Sequence, residues 1–304
     1  NSLRIVGHDT VREREQIMRV CTSALLGIGG AAMVLFSVAN ASLAVADEPI
    51  KVTMIGAGKA GNPFFNPIVQ GTKDAGAAFG VDVDFQYADL NPSKLNDIIE
   101  TAVNNKVQGL VVQMYTPGAY KTSLEHARDA GITVISFNID DPTEAPHKYV
   151  GQDLEGAGHK IAQYLIAEAH LKKGDHVVAA AGDVNASDLG LRYKGVAKAL
   201  QEAGMTSELI AGSFVAAEAQ TLISQYLIGH PETAAVMGLD AVDTGAAPAA
   251  VNDAGLTIPT SGFDVTPIIV DNIRKGSQLG SVDQQPYLQG YLPIMMIAMK
   301  VKYG

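Results

Sequence analysis

From Pro49 onward the chain alternates short apolar runs with amphipathic helical windows, and this alternation limits its fold more than any other feature. The runs at 50–55, 81–87, 107–113 and 132–137 read as strands, and the windows near 65–79, 92–105 and 118–130 between them read as helices. Val107, Val111, Val112, Ile132, Val134 and Ile135 make the strands β-branched, as in parallel strands covered on both faces. Gly80, Gly109 and Gly131 punctuate the helix-to-strand joints, where a glycine stop is common. A repeated βαβ unit with right-handed crossovers winds doubly around its sheet.

The rhythm restarts after Gly151. Helices are expected near 154–170, 188–203, 216–229 and 241–254, and strands near 175–181, 207–212, 234–239, 258–263 and 278–283. A last amphipathic segment runs from Tyr287 to Val301. Two such sets exceed one comfortable sheet, and 304 residues suffice for two moderate domains. The expected fold class is therefore α/β, with two doubly wound, parallel-sheet, Rossmann-like lobes facing each other across a cleft. Short connections make the chain crossings a hinge.

Ahead of Pro49 lies a different composition. Ala24 to Val38 is mostly apolar, preceded by Arg19 and followed by the small-residue site Ala44-Val45-Ala46. That order reads as a cleavable signal peptide within a leader at 1–46, cut before Asp47, with Ala39-Asn40-Ala41 as a second candidate. Met18 stands where a start would give a leader of standard length. The one cysteine of the chain, Cys21, lies in this leader, so the mature protein is expected to use neither disulfides nor thiolate chemistry. The formal charge is -10, and the excess of acid lies beyond residue 46. An acidic surface argues against nucleic acid, whose binders carry a basic footprint.

The strand-to-helix loops carry the chemistry. In open α/β sheets, ligands bind outside the carboxyl ends of the strands. The first such loop holds Asn62, Pro63, Phe64 and Phe65; an amide and two rings suit the hydroxyls and apolar face of a sugar. Later loops hold Gln113-Met114-Tyr115-Thr116, then Asn138-Ile139-Asp140-Asp141, then a run from Asp183 to Asp188 with Asn185 inside it. Asp240, Asp264 and Asp283-Gln284-Gln285 follow. Any single Asp of this kind also reads as a helix N-cap; the series is what suggests a hydroxyl-rich ligand. Arg192 reads either as a surface ion-pair partner or as a fork reaching ligand oxygens. For Phe65, core packing and a place in the cleft are both open.

Gly56-Ala57-Gly58-Lys59-Ala60-Gly61 matches the dinucleotide fingerprint in letters. A helix beginning at Pro63 starts too late to face a pyrophosphate. The seven histidines show no metal spacing, and His147, His159, His170 and His176 read as surface or helix residues. No metal, cofactor or catalytic triad is expected. A nucleotide-dependent oxidoreductase and a sugar-responsive transcription regulator core stand as alternatives; the second needs a basic helix-turn-helix where this chain has an apolar leader.

From about Ile50 to its end the chain resembles the periplasmic sugar-binding proteins of ABC transporters, in the ribose-binding, type I class. The resemblance rests on Asn62-Pro63-Phe64-Phe65, Val134-Ile135-Ser136-Phe137-Asn138, Gly262-Phe263-Asp264 and Val282-Asp283-Gln284-Gln285-Pro286. It implies that Asn62 hydrogen-bonds a sugar whose ring Phe64 and Phe65 line. Asn138 stands where ribose binders have an aspartate, and Asp140 takes over that charge. Arg192 lies near the family's arginine clamp without its local Ala-Arg pattern, with Asp188 or Asn185 as substitutes. Asp240 lies near a family Asn/Asp position, while Asp264 and Gln284 match its carboxylate and glutamine. The implied lobes are 47–152 plus 285–304, and 153–284. Crossings fall near Gln152 and Gln285, with a third beyond Gly304. The implied protein is no enzyme but a monomeric, periplasmic receptor for a monosaccharide or polyol. It closes by a hinge and docks on a separate inner-membrane ABC permease.

Overall fold

The computed structural model describes residues 48–144 and 147–304. The expected leader, its cleavage sites and Cys21 lie outside the described residues. The first apolar run forms β1 (Ile50–Gly56), and Phe65–Phe79 forms α1. Then come β2 (Val81–Tyr87), α2 (Pro92–Asn104), β3 (Gly109–Val112), α3 (Lys121–Asp129), β4 (Thr133–Phe137) and β5 (Lys148–Val150). The second set comprises α4 (Leu154–Glu168), β6 (His176–Ala181), α5 (Ser187–Glu202), β7 (Thr206–Ala211), α6 (Ala216–Gly229) and β8 (Thr233–Gly238). It continues with α7 (Ala241–Asp253), β9 (Thr260–Phe263), α8 (Pro267–Arg274) and β10 (Gly280–Val282), before α9 (Pro286–Tyr303) closes the chain.

The strands build two five-stranded parallel sheets, in the orders β2-β1-β3-β4-β5 and β7-β6-β8-β9-β10. Read along the chain, the two orders are the same, so the doubly wound expectation holds in both halves. Register is set at the centre of each sheet: Met54 pairs with Phe85 and Val111, and Val178 pairs with Glu208 and Val236. β3 is buried throughout, which explains its unbroken apolar run.

Helix α9 packs on α1 and returns the chain to the first sheet, while α4 packs on α5 and the second sheet. Both helix pairs cross at backbone contact. A Cβ on Gly290 would lie 2.0 Å from the Ile68 carbonyl oxygen, and one on Gly195 would lie 2.0 Å from that of Glu155. The chain passes between the sheets at 151–153 and again at 283–285.

Four elements depart from the sequence expectation. β5 is only three residues long and mostly exposed, so it has no apolar periodicity to read. Helix α8 and the 3-10 turn Pro142–Glu144 are short and were not anticipated. Helix α1 fills the expected 65–79 window and therefore starts at Phe65, two residues after the Pro63 start argued from the glycine run. The Asn62 side-chain oxygen accepts the Phe64 N–H at 3.0 Å, and the Asn62 carbonyl accepts that of Phe65 at 3.1 Å, so a tight turn delays the helix.

Candidate functional site

The loop after β1 is built around one phenyl ring. Phe65 is 3% exposed, with Phe64, Phe85 and Tyr87 around it at centroid distances of 5.3, 6.3 and 5.4 Å. A Cβ on Gly56 or Gly58 would come within 2.8 or 2.7 Å of that ring. The first two glycines of the nucleotide-like run therefore make room for Phe65 and leave no cradle for a pyrophosphate. Of the two readings open for Phe65, core packing dominates: it belongs to the first lobe's core and forms the floor of the cleft. Asn62 and Phe64 stand above it, half-buried.

Three carboxamides continue the wall. Gln113, after β3, accepts the Ala57 N–H on Oε1 at 2.8 Å and donates from Nε2 to Asn138 Oδ1 at 2.6 Å. Asn138, after β4, donates from Nδ2 to Gln284 Oε1 at 2.8 Å. Gln284, in the second crossing, donates from Nε2 to Asp264 Oδ1 at 2.7 Å. Asn138 and Asp264 have φ of 59 and 75°, a left-handed conformation that Asn and Asp tolerate better than most side chains. At each strand end it turns the side chain into this line.

The second lobe brings charge. Arg192 is 2% exposed on α5; its Nη1 donates to the Leu239 carbonyl at 2.7 Å and its guanidinium lies 4.4 Å from the centre of the Phe263 ring. Its Nε is buried with no partner, and so is Oδ1 of Asp188, one turn earlier. The surface ion-pair reading of Arg192 is set aside by its burial. Asp188 is pushed up by burial, with Arg192 opposing. Burial likewise pushes Asp264 up to about 6, against the Arg192 charge and the Gln284 hydrogen bond.

Asp240 is differently employed. Its oxygens accept the N–H groups of Val242, Asp243 and Gly182, so it caps α7 and ties down the loop after β6. Beneath it Asp243 is fully buried, and burial together with the Asp240 charge pushes it well above the usual carboxylate range.

These groups surround one cavity of about 340 Å³, within the range of small-molecule pockets. Asn62, Phe64, Phe65, Asn138, Asp188, Arg192, Asp240, Asp264 and Gln284 all line it. Asp140 and Asn185 do not, and both expectations need correction. Asp140 accepts from Ser136 Oγ and meets His147 Nε2, each at 2.6 Å, which spends its charge beside β5; the His147 side chain is 4% exposed, not at the surface. Asn185 is exposed, at a turn held by its own N–H to Asp183.

Among the lining residues not selected from sequence are Gln113, Tyr115 and Phe214. Gln113 and Tyr115 sit in a loop noted there without a choice among its residues. Phe214 follows β7 in a loop without the polar series that marked the others; a lone aromatic beyond a strand end was its only signal. Tyr115 packs against the cores of both lobes and donates to Asp183 Oδ2 at 2.6 Å. Its hydroxyl is pushed above the usual tyrosine range, first by burial and then by that carboxylate. Among the described residues no group of three or more His, Cys, Asp or Glu is arranged to hold a metal ion, and no helix is long and apolar enough to cross a membrane.

Residues 55–304 match the model of a family described as a periplasmic binding protein domain. The chain is 27% identical over 256 residues to a xylose/arabinose-binding protein of Sulfolobus acidocaldarius, covering 78% of this chain and 62% of that protein, less than two thirds of its length. It is 24% identical over 231 residues to the ribose import binding protein of Bacillus subtilis, covering 76% and 75% of the two. Its structure is similar to that of a carbohydrate transporter from Acidothermus cellulolyticus 11B in complex with myo-inositol. There the TM-score is 0.77 and the identity 27%, over 84% of this chain and 88% of the other.

Proposed function

The chain belongs to the periplasmic binding protein family, and from that premise we propose that it is the solute receptor of an ABC import system, binding a monosaccharide or polyol between its lobes. One observation carries the reading most. Arg192 Nε and Asp188 Oδ1 are buried beside the cavity without hydrogen-bond partners. Leaving such groups unsatisfied costs about 1–3 kcal/mol each, and more when charged. The Asp188 carboxylate and the Arg192 guanidinium, both at the cavity wall, suit a guest that donates to one and accepts from the other, and vicinal hydroxyls do both. The names of the relatives, which bind xylose or arabinose, ribose and myo-inositol, support the same ligand class.

The site favours a neutral guest. Arg192 is its one buried cation, against the carboxylates of Asp188, Asp240 and Asp264, so a sugar phosphate meets net repulsion. Asn62, Phe64 and Asn138 would hold the guest from one lobe, and Asp188, Arg192 and Asp264 from the other, with Asp240 and Gln284 framing them. Lobes at 47–152 plus 285–304, and at 153–284, would close about the two crossings. Ligand favours closure only through contacts made with both lobes. Micromolar affinity, about -8 kcal/mol, is within reach of several charge-assisted hydrogen bonds after ordering costs. The closed monomer would then dock on a separate permease in the inner membrane, and the leader would deliver it to the periplasm.

Isothermal titration against pentoses, hexoses and inositols, with NAD as the competing class, tests this reading. A sugar or polyol is expected to bind near micromolar Kd. Binding of NAD with no response to any sugar or polyol would falsify the proposal.

A further inference from the structure

The three carboxamides form a line with one direction. Ala57 N–H donates to Gln113 Oε1, Gln113 Nε2 to Asn138 Oδ1, Asn138 Nδ2 to Gln284 Oε1, and Gln284 Nε2 to Asp264 Oδ1. Both ends dictate that direction. A backbone N–H can only donate, and a carboxylate can only accept. Every amide between them must therefore accept with its oxygen and donate with its nitrogen; turning one round sets oxygen against oxygen or nitrogen against nitrogen. All four side chains are at least nine-tenths buried, so no surface water is at hand to repair a mismatch. The line starts on the first sheet's loops and ends on the second's.

We propose that Gln113 is a positioning residue: through Asn138 and Gln284 it sets the hydrogen-bond polarity at Asp264 and holds that side chain as an acceptor toward the guest. This rests on the cleft being the ligand site. Gln113 is the anchor because it alone reads the fixed Ala57 N–H. Gln284 then presents a donor to Asp264 and favours its ionised form. Burial works in the opposite sense, and the carboxyl stands near 6. Other charges act on it as well. Arg192 on α5 favours ionisation, whereas Asp240 ahead of α7 and Asp283 in the crossing oppose it. Asp188 on α5 and Lys59 on the first lobe line the same cavity. A second, longer contact, from Gln289 Nε2 to Gln284 Oε1 at 3.3 Å, is compatible with the same orientation.

The test is a change of polarity at the anchor. In Gln113→Glu a carboxylate still accepts from Ala57 but no longer donates. Asn138 must then turn its Nδ2 toward residue 113 and its oxygen toward Gln284. Gln284 turns in response and offers Oε1 to Asp264, a contact kept only when Asp264 carries a proton. The titration midpoint of Asp264 can be followed by carboxyl carbon NMR in the ligand-free protein and assigned with Asp264→Asn. It is expected to rise by about one unit or more, the size of one lost hydrogen bond to a charged group. An unchanged midpoint overturns the proposal.

A bare through-space effect of the new charge is separated by repeating the substitution in Gln284→Met, where the line is cut. The relay predicts that most of the increment disappears; a fully retained increment overturns the proposal. If Gln113→Glu fails to fold, Asn138→Asp forces the same inversion one link later at nearly constant volume, and its increment must be lost in the same background. Because the readout uses no sugar, a wild-type protein that binds no sugar yet shows the shift loses the receptor reading and keeps the relay. The converse pair of results loses only the relay.

Discussion

The two lobes share one strand order but serve the cleft with opposite chemistries. Apart from the exposed Lys59, the first presents neutral groups: the Asn62, Gln113 and Asn138 amides and the Phe64 ring, with the buried Phe65 beneath. Most of their hydrogen bonds are already made within the protein. The second presents Asp188, Arg192, Asp240 and Asp264, all buried, two of them with unpartnered atoms. The same βα scaffold therefore supplies a satisfied wall on one side and an unsatisfied wall on the other. Buried charge without full pairing is costly. The second lobe carries that cost, and on the proposed reading this is where discrimination between guests should lie.

The hardest test of the contrast is Phe65→Ala. If the first wall is a packed base, removing its floor should cost about 3–5 kcal/mol of stability by denaturant unfolding. A loss of affinity at unchanged stability would put the ring in the ligand's contact layer instead. Arg192→Met should leave Asp188 and Asp264 without their nearest cation and weaken sugar binding by about 100-fold, as expected for two charge-assisted hydrogen bonds. In Asn62→Ala the loss should be nearer 10-fold. Equal losses by titration calorimetry would erase the difference between the walls.

A smaller effect concerns pH. Asp264 is pushed up to about 6 and Asp243 is pushed further up by burial and the Asp240 charge, both above the unfolded carboxylate value of about 4. The folded state thus holds more protons over these ranges, so stability falls as pH rises above about 4. The Asp264 share of that fall is complete just above 6, and the Asp243 share continues to higher pH. Asp243→Asn should flatten the decline that remains above neutral pH in thermal melts. Hydrogen exchange should register the decline in β6 and β8 before β1 and β3, because both carboxyls belong to the second lobe. Sugar affinity should move the other way and drop as pH falls below about 6, where Asp264 takes up its proton.

The smallest change is expected for Tyr115→Phe. It removes the 2.6 Å hydrogen bond by which the first lobe reaches Asp183 of the second. A net contribution of about 1 kcal/mol should be lost from closure, with the ring's packing kept. Small-angle scattering of the ligand-free variant should show a larger radius of gyration than wild type, at nearly the same melting temperature.

Most elements were readable because burial imposes a period. β3 and β6 show unbroken apolar runs, and α2 shows a regular face with Asn91 capping it. β5 escaped notice because three mostly exposed residues impose no period, and α8 because its 8 residues span barely two turns. Side-chain direction was beyond reach in the same way. Asp140 and Asp264 both follow a strand end, yet one is spent on His147 and Ser136 and the other faces the cavity. Gly56 and Gly58 show the converse hazard, since their spacing fits a phosphate loop while their space is filled by Phe65.

Taken alone, the amino-acid order determined the alternating elements, the two-fold repetition of the α/β unit and the strand-end loops that meet at the cleft. Local propensity and solvent exclusion act over a few residues, so they are written in the order itself. Only the tertiary structure decided which donor meets which acceptor: that Asp240 is consumed by backbone N–H groups, that Arg192 is buried against Phe263, and that three amides far apart in the chain form one directed line. Those pairings depend on distances of a few ångströms between residues up to 146 positions apart, and no local pattern encodes them.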